Sequence, residues 1–325
     1  MTPEQTDPTG ETPLVYILLL NYKGVSHTIA CLDSLRGLDY ANYQIIVIDN
    51  ASPDDSVTQL KARLQEHPEA FQLIESPVNL GFSGGNNLGI RAALVQQGKP
   101  SPSDSQTRPD SYIWLLNNDT TVDPAALTHL VQQAQRTGGI AGSLLLYPDG
   151  RYQQVGTRIN WWNGGTKGYS EASVRDGMTV ETLVGASMLI PLRAILLAGL
   201  LNESFFLYFE DGEASIRYAK AGFPLSLATQ SIVYHHEGAT TGRTSLPTQY
   251  YYQRNRLRLL MMYAHPLQKM TILAYAMFRV LRSVVKSRLN KDPERRISAK
   301  VHVVAVRDFL RGISGPCPHN LEGLR

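Results

Sequence analysis

Carboxylates stand directly after two apolar runs in this chain. YIWLL (residues 112–116) leads into Asn117, Asn118 and Asp119, and FFLYF (205–209) leads into Glu210 and Asp211. Polar groups at the end of a buried strand need partners, because burying them unpaired costs free energy. In open α/β sheets the partner is often a ligand, bound in the crevice outside the carboxyl ends of the strands. A carboxylate beside two amides suits a hard divalent cation that keeps several waters and grips a diphosphate. The same triplet can also be a polar turn before a helix beginning at Asp123-Pro124. Glu210 and Asp211 can stabilise a helix N-terminus, or serve as general base toward a hydroxyl nucleophile. His235 and His236 close another apolar run. Adjacent strand residues face opposite ways, so at most one of them reaches a given metal; the alternative is a packed, hydrogen-bonded histidine.

Two further stretches fit a nucleotide ligand. IIVIDNASPDD (45–55) places Asp49 at a strand end, where it can accept hydrogen bonds from a base N–H or a ribose hydroxyl. Ser52 and Asp54 beside it read as turn or cap residues. NLGFSGGNNLGI (79–90) reads as a Gly-rich loop running into a helix, so that backbone amides can approach an anion; a tight loop with no ligand is the alternative. The first strand ends LLLNYKG without GxGxxG, and GxxxxGK[ST] is absent, which excludes the common dinucleotide and P-loop signatures.

The elements that must position these residues alternate. Apolar, strand-length runs cover 14–20, 43–48, 71–74 and 112–116, and helical spacing covers 28–38, 56–64, 82–97 and 124–137. The alternation predicts a mostly parallel sheet with helices on both faces. Pro- and Ser-rich residues 99–110 read as a surface loop. Further on, 140–146, 180–190 and 225–234 read as strands, and 148–150 as a turn. Trp161, Trp162, Gly164 and Gly165 mark an irregular aromatic segment, 210–221 is a helix closed by Gly222, and everything after Leu246 reads as helical.

With 325 residues and 43% hydrophobic content the chain has ample material for a core, and a net charge of +3 does not imply nucleic acid. Cys31 and Cys317 are too far apart for a disulfide framework or zinc spacing and fit a reducing cytosol, Cys31 as a small core residue. Residues 1–12 read as a disordered lead-in with no signal peptide, and no window is apolar enough to span a bilayer. In 269–291, Leu273, Met277, Val280, Leu281 and Val284 share one helical face, with Arg279, Arg282 and Lys286 nearly opposite. Two readings stand: a helix packed on the catalytic part with a solvated basic face, or an interfacial helix on anionic lipid.

The motifs DNASPDD, NLGFSGGNN, LLNNDT, GASMLI, FFLYFEDGE, HHEGAT and YYQRNRL occur in the order and spacing of family 2 glycosyltransferases. Over roughly residues 14–260 the chain resembles that family, most closely its bacterial rhamnosyltransferase-like branch. The resemblance implies a GT-A fold over 13–242 with a helical C-terminal extension over 243–325. It implies an enzyme transferring sugar, with inversion, from a nucleotide-diphosphate donor (a UDP- or dTDP-sugar, dTDP-rhamnose included) to a saccharide or lipid-linked saccharide acceptor. Such an enzyme would work in the cytoplasm, with peripheral contact at the inner face of the plasma membrane. It further implies Mg²⁺ or Mn²⁺ at Asp119 and His235, with Asp211 as catalytic base. Asn21, Asp49, Asn79, Gly81, Phe82, Gly84, Gly85, Asn86 and Asn118 become donor-binding positions, and Glu210, Arg254 and Asn255 contacts to acceptor or diphosphate. Asn117 replaces the first acid of the family's usual metal triplet, Asp55 stands where Gly is common, and Glu213 where Asp is common. The alternatives are a nucleotidyltransferase, which would show a Gly- and Arg-rich loop where Asn21-Tyr22-Lys23 stands, and a non-catalytic sugar- or membrane-binding subunit.

Overall fold

A computed structural model describes residues 12–68, 70–98, 111–236, 245–289 and 292–324. Most of the lead-in, the loop over 99–110, the end of the HHEGAT motif and the end of the 269–291 segment lie outside the described residues.

The first four apolar runs form β1 (Val15–Asn21), β2 (Tyr43–Asp49), β3 (Gln72–Glu75) and β4 (Tyr112–Asn117), parallel in the order β3-β2-β1-β4. Their near-continuous hydrophobicity reflects cover on both faces. Val15, Ile17 and Leu19 join a core with α1 (Val25–Leu35), α2 (Ser56–Glu66) and α4 (Ala126–Thr137). Tyr16 and Leu18 point the other way, into a core with α3 (Gly81–Gln96), α5 (Leu192–Ala198) and α6 (Glu210–Lys220). Cys31 belongs to the first core, and burial pushes its thiol up to about 12, so it behaves as a small hydrophobe.

Beyond β4 the sheet is mixed. It continues β4-β11-β6-β12-β5, where β5 is Thr120–Val122, β6 Ile140–Leu146, β11 Ser187–Pro191 and β12 Leu225–His235. β11 runs antiparallel to both neighbours, and β6 and β12 are parallel. The single strand expected over 180–190 is two: β10 (Thr182–Leu183) belongs to a separate three-stranded sheet, and the chain breaks at Gly185 before β11. The segment expected to be irregular, Trp161 to Gly165, is a turn, and around it lie strands not expected: β7 (Tyr152–Gln154), paired to β6, and β8 (Gly156–Ile159) and β9 (Thr166–Gly168) of the small sheet.

The C-terminal part is α7 (Leu246–Tyr263), α8 (Pro266–Leu289) and α9 (Pro293–Leu310), after which the chain ends in turns and one short helical turn rather than helix throughout. Ser245 and Asp292 cap α7 and α9, accepting from the Thr248 and Glu294 amides, each ahead of a proline in the first turn. The packed-helix reading of 269–291 holds for Val280, which packs on the core, but not for the whole of the expected face. Ile272 and Ala276 face the core, and Met277 and Leu281 face outward.

Candidate active site

The carboxyl ends of β1, β2 and β4 meet in a buried polar network. Asn21 and Asp49 are register partners on neighbouring strands, and Asn21 Nδ2 donates to Asp49 Oδ2 (2.8 Å). Thr28 Oγ1 donates to Asn21 Oδ1 (2.8 Å), and Asn118 Nδ2 donates to Thr28 Oγ1 (2.9 Å). The Ser52 amide donates to the second Asp49 oxygen (2.9 Å). Asp49, expected to meet a nucleoside, is therefore buried with both oxygens engaged, and it does not line the cleft described below. Asp54 fulfils the turn reading, accepting from the Ser56 amide.

Asn50, overlooked in the sequence, builds the next wall. Its Oδ1 accepts from the Leu80 amide (2.9 Å), and its Nδ2 donates to Asn79 Oδ1 and to the Gly81 carbonyl (3.1 Å each). Gly81 takes φ +70, and a Cβ there would lie 2.3 Å from the Phe206 carbonyl, so only glycine fits. The Gly-rich loop expected here is instead the start of α3. Gly84 and Gly85 sit inside the helix, where a Cβ would strike Leu80 or Leu20, and Gly89 packs against Ile48 and Leu18. These glycines serve helix–sheet contact. Gly84, Gly85 and Asn86 are buried and do not line the cleft, whereas Asn79, Gly81 and Phe82 do.

At the end of β12, His235 turns inward and His236 outward, beside His27. His235 Nε2 lies 3.3 Å from Asp119 Oδ1, and its Nδ1 lies 2.8 Å from Gln153 Oε1. Gln153 Nε2 donates to the His235 carbonyl (3.3 Å), which fixes the amide's orientation and so places the imidazole proton on Nδ1. Asn117 Nδ2 is 3.2 Å from Nε2 and donates to its lone pair. A histidine lone pair and a carboxylate oxygen thus converge, an arrangement a cation satisfies. Adjacent ligands of an octahedral ion at about 2.1 Å are about 3 Å apart, close to the spacing here. Burial raises the Asp119 carboxyl, but where a proton rather than a cation sits on His235 Nε2, the hydrogen bond and charge of that ring outweigh burial and hold the carboxyl below the usual carboxylate range. No cluster of three or more acids, histidines or cysteines occurs among the described residues, so a cation here would need oxygens from its ligand to complete its shell. The residues fit a divalent ion bridging to a diphosphate. Gln153 gave no sequence signal, lying on a three-residue strand with no apolar pattern.

The FFLYF segment is a strained turn, with Phe206, Tyr208 and Phe209 all at φ between 65 and 71. Arg254 and Asn255, expected in the ligand site, are fully buried and hold this turn instead. Asn255 Nδ2 contacts the carbonyls of Phe205, Leu207 and Tyr208 at 2.6, 2.7 and 3.1 Å. Arg254 donates to the Phe205 and Gly315 carbonyls and lies over the Tyr250 and Tyr251 rings. The turn opens α6, where Asp211 accepts from the Gly185 and Gly212 amides at 3.0 and 2.7 Å. A Cβ on Gly185 would lie 3.2 Å from that of Asp211, which explains the break between β10 and β11. Burial raises the Asp211 carboxyl, and these amides offset part of the rise. Glu210 is 5% exposed, and its Oε2 has no hydrogen-bond partner, so helix capping does not account for it. Burial first, then the charge of Asp211, pushes its carboxyl well above the ordinary value.

Asp119, His235, Glu210 and Asp211 line one cleft of about 620 Å³, with Tyr22, Asn50, Asn79 and Tyr208. A second cavity, of about 650 Å³, lies at the amino ends of β2 and β3 among Tyr40, Arg63 and Phe71, away from these carboxylates. Chemistry, not size, selects the first, which brings the Asp119–His235 pair at the strand ends and the buried carboxyls at the start of α6 to one space.

The chain belongs to glycosyl transferase family 2, whose profile matches residues 17–189, and is a glycosyltransferase. It is 24% identical over 250 residues to a Mycobacterium tuberculosis protein named N-acetylglucosaminyl-diphospho-decaprenol L-rhamnosyltransferase, covering 71% of this chain and 79% of that one. The fold, GT-A, is shared with a Pyrobaculum calidifontis mannosyltransferase solved with GDP-Man and Mn²⁺ (TM-score 0.59, 13% identity, 95% of this chain and 90% of that one). It is also shared with S. aureus TarS residues 1–349 solved with UDP-GlcNAc (TM-score 0.57, 12% identity, 95% and 83%).

Proposed function

We propose that the protein is an inverting glycosyltransferase acting on a lipid-linked saccharide, with a UDP- or dTDP-sugar as donor. The name of the mycobacterial relative supports rhamnose as the sugar transferred and a polyprenyl-diphosphate-linked saccharide as acceptor. Asp119 and His235 would hold Mg²⁺ or Mn²⁺, which supplies positive charge to the leaving diphosphate. Asn79, Gly81 and Phe82 shape the donor side, and Asn21 and Asn118 keep the strand ends in place behind it. Asp211 accepts the proton of the acceptor hydroxyl as that oxygen bonds to the anomeric carbon and the diphosphate departs from the opposite face. Its raised carboxyl suits it to this role at neutral pH. Glu210, whose burial and the neighbouring Asp211 charge favour its protonated form, stands beside Asp211 in the cleft. The enzyme would work in the cytoplasm, at the inner face of the plasma membrane.

The observation that carries this reading is the convergence of the Asp119–His235 pair and Asp211 on one cleft. The test is release of nucleoside diphosphate from a panel of UDP-, dTDP- and GDP-sugars with Mn²⁺ and a polyprenyl-diphosphate saccharide. Release from one donor class, dependent on acceptor and lost in Asp211→Asn, is expected. No release from any member would count against it.

A further inference from the structure

α8 carries an apolar face that the protein leaves uncovered. Leu267, Met270, Met277, Phe278, Leu281 and Val285 are 48–68% exposed. At about 100° per residue they fall within an arc of about 100° along a helix about 36 Å long. Trp162, 59% exposed, flanks the start of the stripe, its carbonyl accepting from Thr271 Oγ1 (2.8 Å). Exposed apolar surface of this extent marks an interaction site.

Charge selects the occupant. α8 has no acid and five Lys and Arg, and no Asp or Glu occurs from Gly238 to Lys291. Arg282 and Arg288 are exposed, Arg282 beside the stripe and Arg288 at its end. A second copy docked on this face by two-fold symmetry would set cation against cation. No described helix is long and apolar enough to cross a membrane. An apolar stripe with a cationic border matches the boundary between headgroups and acyl chains of an anionic bilayer.

The stripe is also joined to the catalytic turn. Gly164, two residues past Trp162, packs on Leu260 and Ile272. Thr166 Oγ1 and Tyr252 OH are 2.9 Å apart, and the Tyr252 ring lies 4.9 Å from that of Phe209, the residue before Glu210.

We infer that α8 is a membrane-docking surface, whose exposed apolar face inserts at the surface of an anionic bilayer while Arg282 and Arg288 meet lipid phosphates. The assignment stands on α8; only its bearing on acceptor delivery rests on the proposed function.

The test is co-sedimentation of the full chain with vesicles of phosphatidylcholine alone or mixed with phosphatidylglycerol, at low and high salt. Binding to the acidic vesicles is expected, weakening as salt screens the charge. Arg282→Glu should lower partitioning about fivefold or more, and Phe278→Glu with Leu281→Glu about tenfold or more. Sedimentation velocity without lipid should show the same species for wild type and variants. Equal binding to both vesicle types, or none, would overturn the inference. So would a wild-type dimer that the Phe278→Glu, Leu281→Glu variant dissociates, since it would assign the face to a second copy. Donor-induced thermal shift on the same variants reads the transferase site separately and should be unchanged.

Discussion

Asn255 does not itself line the cleft, yet turnover should depend on it. Its Nδ2 is the shared donor for three carbonyls of the turn before Asp211, and three residues of that turn hold positive φ. Strain of this kind costs about 1–3 kcal/mol per residue, and a buried carbonyl stripped of its donor costs about 1–3 kcal/mol. In Asn255→Asp, a near-isosteric change, the donor becomes an acceptor facing those carbonyls. The hydrogen bonds that offset the strain disappear, and the turn relaxes. Asp211 lies only three residues beyond Tyr208, and a misplacement of about 1 Å can cost about a hundredfold in rate. Steady-state transfer should therefore show kcat reduced about a hundredfold. Donor affinity should fall less, because the turn proposed for the donor joins this segment at one residue, Phe206, through the Phe82 amide on its carbonyl and the packing of its ring on Gly81. Retention of kcat within about twofold, or a larger loss in donor binding than in turnover, would refute the positioning argument.

Other outcomes follow from the same geometry. Asp211→Asn should lower kcat by about 10²–10⁴ with donor binding intact; in wild type, kcat/KM should fall as pH drops through a value above the ordinary 3.8, and an acid limb at or below that value would contradict the raised carboxyl. Gln153→Leu should free the His235 ring and weaken Mn²⁺ binding about 10–100-fold by calorimetry; unchanged affinity would remove Gln153 from the site. Glu210 binds its proton more tightly folded than unfolded, so its contribution is present below the ordinary 4.5 and lost as pH rises through the raised value. Glu210→Gln should therefore flatten the alkaline decline in denaturation midpoint, and an unaltered decline would assign it to other groups.

The parallel half of the sheet was legible because its strands are covered on both faces and must be continuously apolar, as ILLL in β1 and IIVI in β2 are. That Asp119 and His235 come together followed from their places at strand ends, and Asp211, after the aromatic run, is brought by the turn at 206–209 to the same cleft. The helix over 82–97 was legible, but its Gly-rich first turns also read as a loop, because glycine disfavours helix by about 1 kcal/mol, while contact of Gly85 with Leu20 and of Gly89 with Ile48 and Leu18 demands it there and is invisible locally. The break at Gly185 has the same origin, in the approach of a residue 26 positions away. Arg254 and Asn255 entered as ligand contacts through the family resemblance; their partners are backbone carbonyls exposed by an unusual turn, which composition does not record.

The most direct test of the metal-assisted donor site is thermal denaturation of wild type and Asp119→Ala with nucleotide sugars, with and without Mn²⁺. Donor at a hundredfold excess over Kd should stabilise wild type by about 2.7 kcal/mol, raising Tm by several degrees only when Mn²⁺ is present, and Asp119→Ala should show no such rise. Equal stabilisation of both proteins, or stabilisation of wild type untouched by EDTA, would contradict a cation held by Asp119 and His235.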